Sequence, residues 1–462
     1  MPTSTSHFDY IIAGSGTSGG VAAWYLQQAG ARCLLLEAGK YYKPREDFPL
    51  PEADYTAQLM WGGGIEYNTR CDLAFIRGRC VGGGSVVNAA LMDRFDDVAF
   101  DDWKAASGVP FFSESAMEPH YDFAETQIAL EEIPDHHRNN NAQLFIKGME
   151  NCGHVWKPLR RCQSDCPTDA GQDCIACLGG CHRNSKQSTL ATYIPKAEAL
   201  GLEVRDYAEV TQLEYGKDAV TVHTPRGVFT ADKVILAGGA FGSTQVLLRS
   251  GFRAKLPALG RNFSMHPQAM NLAVFDEPVD SHKGVLQGAK SLDPGFRKRG
   301  FKLENVFAPP IAIAVLFGRV GLPLQDFMRK YRNLACIEVA VRDENTGVID
   351  VDKNGRLHIE KKMTDQDRRR MRDGLGAVKA MLESVGAKQV IQCKMAFGLH
   401  LMGGCVMGTD RKTSVVNPNF EVHDHPRLCI ADSSIFPNAP GINPALTIMA
   451  LSHRMATTQA AQ

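Results

Sequence analysis

Five of the chain's thirteen cysteines, Cys162, Cys166, Cys174, Cys177 and Cys181, fall in the single stretch CQSDCPTDAGQDCIACLGGC. Four or five thiolates this close can satisfy a tetrahedral zinc ion or an iron–sulfur cluster. The same residues can also pair as disulfides or stay as thiols. Zinc would only brace the chain, whereas an iron–sulfur cluster would carry electrons. Cys174, Cys177 and Cys181 make the most compact ligand set, and Cys162 and Cys166 compete for a fourth place.

A second group of residues suits a phosphate-bearing ligand. FDYIIA reads as a buried strand, GSGTSGG as a tight turn, VAAWYLQQAG as a helix and CLLLE as a second strand. Gly14, Gly16 and Gly19 have the spacing of a dinucleotide fingerprint, in which glycines permit the turn, close approach to a pyrophosphate and helix packing. Glu37 ends the second strand, where an acid can bind a ribose hydroxyl. Further on, in RGRCVGGGSVVNAALMDR, Gly82, Gly83 and Gly84 let backbone amides approach a ligand, and Ser85 and Asn88 add side-chain hydrogen bonds. ADKVILAGGAFGSTQVLLRSG repeats the order of strand, glycine turn and amphipathic helix.

These motifs need an α/β scaffold to hold them, and a chain of 462 residues is long enough for two or three domains. Between about residues 270 and 394 strand-like pieces such as CIEVAVRD and GVIDVD are separated by polar turns. Thr364, with Asp367 three residues on, starts a helix whose Met371, Leu375, Val378 and Leu382 share a face. Arg368, Arg369 and Arg370 are expected on its solvated side. The resulting fold class is a Rossmann-like nucleotide-binding domain with a second α+β domain of mixed sheet and helices. The predicted division gives 1–104, 183–269 and 396–462 to the first domain, 105–161 and 270–395 to the second, and 162–182 to the cysteine segment. Fifty-one basic residues balance fifty-one acidic ones, which argues against a nucleic-acid partner and suits a small substrate. The start lacks a basic, apolar leader, and the longest apolar run, Ala308 to Gly318, is far short of a bilayer span. A cytoplasmic chain without a transmembrane segment is expected, with export alongside a signal-bearing partner as the alternative. In a reducing compartment the cysteines favour ligand or buried-thiol roles over disulfides.

Near the carboxyl end, GLHLMGGCVMG is followed by RLCIADSSIFPNAPGINPALTIMALSHRMA. Together with Gly14 to Gly19, RGRCVGGGSVVN, VILAGGAFGSTQVLLRSG and LGRNFSMHP, these segments resemble the glucose/methanol/choline oxidoreductases. The similarity is greatest to the branch with cholesterol oxidases and long-chain alcohol oxidases. The resemblance implies noncovalent FAD, with His400 as general base and Asn443 as its partner on the substrate oxygen. It also implies Asp432 near the ribityl and phosphate region, Gly82, Gly83, Ser85 and Asn88 beside the isoalloxazine, and Val210 near the adenine. The expected reaction oxidises a hydrophobic or aromatic alcohol to a carbonyl, since a flavin can take the hydride and a histidine can handle the proton. Some glucose dehydrogenases of the family hold an iron–sulfur cluster on a cysteine-rich insert, so an electron-acceptor protein or quinone is an expected partner. The alternatives are a lyase or decarboxylase on the same scaffold, or an oxygen-using oxidase with structural zinc. His182, His266, His423 and His425 are read as structural or exposed, and Cys405 and Cys429 as small buried hydrophobes.

Overall fold

The computed structural model describes residues 7–166 and 174–461. Its first sheet follows from two short apolar runs. The strands His7–Ala13 and Cys33–Leu36 pair in parallel, from Tyr10 with Cys33 to Ala13 with Leu36, and the helix Thr17–Gln28 makes the crossover. All four residues of Cys33–Leu36 are buried, as an interior parallel strand covered on both faces requires. The central path of the sheet runs Glu421–Val422, His425–Ile430, Gly227–Leu236, His7–Ala13, Cys33–Leu36, Glu203–Arg205. Gly227–Leu236 serves three partners. Its first half forms an antiparallel hairpin with Val220–Thr224, and its second half lies parallel between His7–Ala13 and His425–Ile430. The last helix, Ala445–Ala460, packs against the first.

Among the described residues the second sheet has nine strands, with Gln268–Val274 and Leu334–Val341 paired antiparallel at its centre. Both are buried along their whole length, and their alternation sorts residues to two faces. Ala269, Ala273, Ile337 and Val339 pack beneath the helices Asn140–Asn151 and Asp365–Ser384. Met270, Leu272 and Cys336 face an apolar cluster that includes Leu286, Phe307 and the helix Pro310–Phe317. That helix is what the longest apolar run becomes, and no helix among the described residues is long and apolar enough to cross a membrane.

The helix predicted from Thr364 is present with its reciprocal cap. Thr364 Oγ1 accepts the Asp367 amide at 3.1 Å, and Asp367 Oδ2 accepts the Thr364 amide at 2.7 Å. Arg368 and Arg369 lie on the solvated side, but Arg370 turns inward and donates to the Arg342 carbonyl and to Glu344. The two sheets also share chain differently from the predicted segments. Strands Glu66–Tyr67, Leu73–Phe75 and Ala396–Gly398 belong to the second sheet, so cuts at 104 and 396 leave parts of that sheet in the first domain. These strands are two or three residues long and carry no alternation long enough to reveal their partners. The helix Glu114–Thr126, predicted to belong to the second domain, packs on Ala445–Ala460 of the first.

Candidate active site

The carboxyl ends of the first sheet's parallel strands open into a cavity of about 460 Å³, the size of a cofactor or ligand site. It runs from Gly14, Gly16, Glu37 and Val210 at one end, past Gly83, Gly84, Asn88 and Asp432, to His400 and Asn443.

At the first end the chain turns sharply at Gly14, whose φ of +106° and lack of a side chain are both needed. A Cβ there would sit 2.5 Å from the Ala237 carbonyl oxygen. Gly19 does not line the cavity; it lets the helix pack onto Gly14's own carbonyl. Gly83 has φ +52° and lies against Gly16, where an added Cβ would stand 2.9 Å from the Gly16 Cα. The two glycine segments thus meet backbone to backbone. Ser18, at the start of the first helix and on the cavity wall, has a buried hydroxyl without a hydrogen-bond partner among the described residues. Amides and an orphan hydroxyl at a helix start suit a pyrophosphate.

Glu37 accepts from the Ser15 amide and hydroxyl at 3.1 and 2.6 Å and from the Gly39 amide at 2.9 Å. Burial nevertheless raises its carboxyl above the ordinary range. Asp432 is likewise raised by burial, against hydrogen bonds from Ser243 at 2.6 Å and from the Gly239 and Ser434 amides at 2.8 Å. Gly82 and Ser85 stand behind the wall: Ser85 Oγ donates to the Gly82 carbonyl at 2.6 Å and accepts from the Thr189 amide at 3.1 Å. Asn88 lines the cavity, and its backbone carbonyl, with that of Val86, accepts from Lys186 at 2.8 and 2.7 Å. Lys186 sits just past the cysteine stretch, and nothing in its local sequence signals this bracing role.

At the other end the residues brought together are far apart in sequence. Strand Ser264–Met265 pairs with Leu401–Met402, which sets His266 beside His400 with the two Nδ1 atoms 3.0 Å apart. Burial, with Lys302 nearby, pushes the His400 imidazole down to about 3, so it is neutral at ordinary pH. His266, read from sequence as structural, is buried here, and its Nε2 accepts the Gly441 amide at 2.9 Å. His423 and His425 do have local structural partners, Ser414 Oγ and the His423 carbonyl.

Asn443 donates to Glu304 Oε1 at 3.1 Å and accepts from Lys302 Nζ at 2.6 Å. Lys302 also meets Glu304 at 2.7 Å, and Glu304 lies directly across from Glu338 in the sheet register. Burial and the charge of Glu304 raise Glu338 well above the carboxylate range, so it keeps its proton. Glu304, Glu338 and Gln268 were not found by sequence reasoning. Isolated polar residues in apolar strands give no signal until the register places them on one face.

Among the described residues, the cysteine stretch reaches the same cavity through Leu178. The turn of helix Cys174–Gly179 packs on Glu52–Leu59 and Gly84–Val87, and the Gly179 carbonyl accepts the Leu50 amide at 2.9 Å. Cys162 is buried in the strand Arg160–Cys162, where burial pushes its thiol up to about 12. Cys166 and Cys181 are half-buried. The side chains of Cys174 and Cys177 lie outside the described residues, and among the described ones no three His, Cys, Asp or Glu groups could hold a metal ion. Cys405 and Cys429 are fully buried, as expected of small apolar residues.

The N-terminal model of the GMC oxidoreductase family matches residues 8–268, and the C-terminal model matches residues 346–452. The chain belongs to the GMC oxidoreductase family. This GMC oxidoreductase is 26% identical to a long-chain-alcohol oxidase of Arabidopsis thaliana over 96% of its own length and 67% of the relative's. It is 23% identical to a cholesterol oxidase of Acinetobacter baumannii over 98% and 94% of the two chains. Pyridoxine 4-oxidase from Mesorbium loti superposes with a TM-score of 0.72 at 17% identity, covering 98% and 99% of the chains. A formate oxidase of Aspergillus oryzae gives 0.73 at 16%, covering 99% of each, which shows the shared fold. The protein is a flavoprotein oxidoreductase that uses FAD, and the glycine cradle, the buried Glu37 and the orphan Ser18 hydroxyl fit that cofactor.

Proposed function

We propose that this GMC oxidoreductase oxidises the CH–OH group of an alcohol with a largely apolar body. The observation that carries the reading is the composition of the cavity's far end. His400, Asn443, Glu304 and Glu338 converge there, while Met270, Leu286, Val306, Phe307 and Leu399 supply apolar wall. FAD, when bound, supplies the acceptor for the carbinol hydride. Gly14, Gly16, Ser18, Glu37 and Val210 would hold its nucleotide part, and Gly83, Gly84, Asn88 and Asp432 would lie along the rest.

The chain's own residues must hold the hydroxyl oxygen and take up its proton. His400, the general base of the sequence reading, and the carboxylate Glu304 both line the cavity at this point. Asn443 is proposed as their partner, keeping Lys302 and Glu304 in register with the C-terminal helix. The apolar walls exclude water and orient the substrate, which is where a positioned reactant gains most of its rate.

Mixing the flavin-loaded protein with candidate alcohols under anaerobic conditions should bleach the flavin. His400→Asn should slow the bleaching by roughly a hundredfold or more with flavin still bound. A His400 variant that reduces flavin at the original rate would sink the assignment, and turnover without bleaching would point to lyase or decarboxylase chemistry.

Electron exit through the cysteine segment is proposed on its position against Gly84–Val87. A visible spectrum with iron and zinc analysis decides between an iron–sulfur cluster, a bracing zinc and an oxidase that hands electrons directly to oxygen.

A further inference from the structure

Four consecutive backbone carbonyls in the turn before the last helix are each held by a side chain. Asn345 donates to the Pro437 carbonyl at 3.0 Å, Trp103 to Asn438 at 3.0 Å, Arg342 to Ala439 at 2.6 Å and Arg297 to Pro440 at 2.7 Å. Arg297 is itself fixed by a two-point contact with Asp96 at 2.9 and 2.6 Å, and Arg342 pairs with Asp102. A turn held this tightly presents its next amide, Gly441 N–H, in one direction. That amide donates to His266 Nε2 at 2.9 Å.

A backbone N–H can only donate, so His266 Nε2 must carry a lone pair, and the neutral ring then bears its proton on Nδ1. His266 Nδ1 lies 3.0 Å from His400 Nδ1, with the rings nearly perpendicular at 87°. Two lone pairs cannot share that distance favourably, so His266 donates and His400 Nδ1 accepts. A neutral His400 must then carry its proton on Nε2, the ring nitrogen left for a ligand of the cavity.

We infer that His266, aimed by the Pro437–Gly441 turn, is a positioning residue that sets the tautomer of His400, so that His400 meets the substrate oxygen as a hydrogen-bond donor. The role of the donor rests on the alcohol-oxidation reading, but the tautomer itself does not. His400 then favours the form of the oxygen with the greater negative charge. The hydroxyl proton is left to another acceptor, and Glu304 is a carboxylate on the same wall. The charged and titratable groups facing the two rings agree with a neutral pair. Burial, His400, Lys302, Arg342 and Arg297 hold His266 well below its ordinary value, and burial and Lys302 do the same to His400.

Nitrogen NMR of the flavin-loaded protein labelled with 15N-histidine tests this directly, with the His400 signals identified by their loss in His400→Gln. Between pH 5 and 9 His400 should show a bare Nδ1 and a protonated Nε2, and His266 the reverse. His266→Asn, whose amide can donate from the position of Nδ1, should restore that pattern. His266→Leu should give a mixture of tautomers and a kcat at least about tenfold lower, by analogy with the loss when a tautomer-setting partner is removed. A protonated Nδ1 on His400 in the unaltered protein would overturn the inference, as would an unchanged pattern in folded His266→Leu. If no alcohol bleaches the flavin while the pattern holds, the substrate reading fails and the tautomer assignment stands.

Discussion

Asn443 has both ends of its amide in use, with Lys302 on the carbonyl and Glu304 on the nitrogen. In this arrangement it orders the charged groups around the site, and the resemblance implies a contact with the substrate oxygen besides. Asn443→Ala would leave buried partners unsatisfied, at a cost of about 1–3 kcal/mol in stability. At the cofactor end, the turn at Gly14 permits no side chain. Gly14→Ala adds a Cβ against the Ala237 carbonyl at a φ of +106°. The variant should purify with little flavin absorbance and lose more than about 1 kcal/mol in urea unfolding. Full flavin occupancy in that variant would show that the turn is not the cradle described. Cys80, beside the same turn, is a buried thiol whose surroundings raise it further, so it offers no thiolate for chemistry.

The helices Glu114–Thr126 and Ala445–Ala460 show that a histidine pair like His266–His400 need not be a site. His120 Nδ1 faces His453 Nδ1 at 3.0 Å, and Arg454 donates to His120 Nε2 at 3.1 Å. The same proton logic applies, but the His453 ring stacks on Phe123 with centroids 3.6 Å apart, and neither histidine lines the main cavity. Burial, with Arg454 for one and the partner ring for the other, holds both near 4. Between their unfolded value near 6.5 and about 4, the unfolded chain binds protons that the folded pair refuses. Stability from these helices is therefore full above pH 6.5 and falls as pH drops toward 4, and the buried His266 and His400 act in the same direction. The raised carboxyls of Glu37, Glu338, Asp343 and Asp432 act in the opposite sense, so the pair is read by difference: the melting temperature of the unaltered protein relative to a His120→Gln, His453→Gln variant should be lower at pH 5 than at pH 7 by roughly a few degrees at constant ionic strength. An equal difference at both pH values would mean that the pair takes up protons in the folded state.

Across the whole molecule, the segment that leads into His266 is tied down by a fully buried ion pair. Lys361 Nζ meets Asp343 at 2.7 Å with neither side chain exposed, and the other Asp343 oxygen accepts the Met265 amide at 3.0 Å. Burial holds the Asp343 carboxyl up at about 7 despite Lys361. The pair thus anchors the strand that carries His266 into the site. Lys361→Met should destabilise the fold by about 3–5 kcal/mol, because the remaining carboxyl is stranded in the core. Chemical denaturation measures this, and a loss below about 1 kcal/mol would show that the carboxyl is satisfied elsewhere.

The amino-acid sequence by itself determined the strand, turn and helix around Gly14, Gly16 and Glu37, the capped helix from Thr364 and the apolar strands of both sheets. Each of these rests on periodicity and turn stereochemistry encoded within a few dozen residues. The resemblance extended that reading to His400 and Asn443, both found on the cavity wall. Tertiary structure alone decided that His266 touches His400 across 134 residues, and that Lys302, Glu304, Glu338 and Asn443 share one network. It also decided that Arg370 points inward and that strands 66–67, 73–75 and 396–398 join the second sheet. Strand register and the direction in which each Cβ leaves the backbone fix those meetings, and neither leaves a mark on the local sequence.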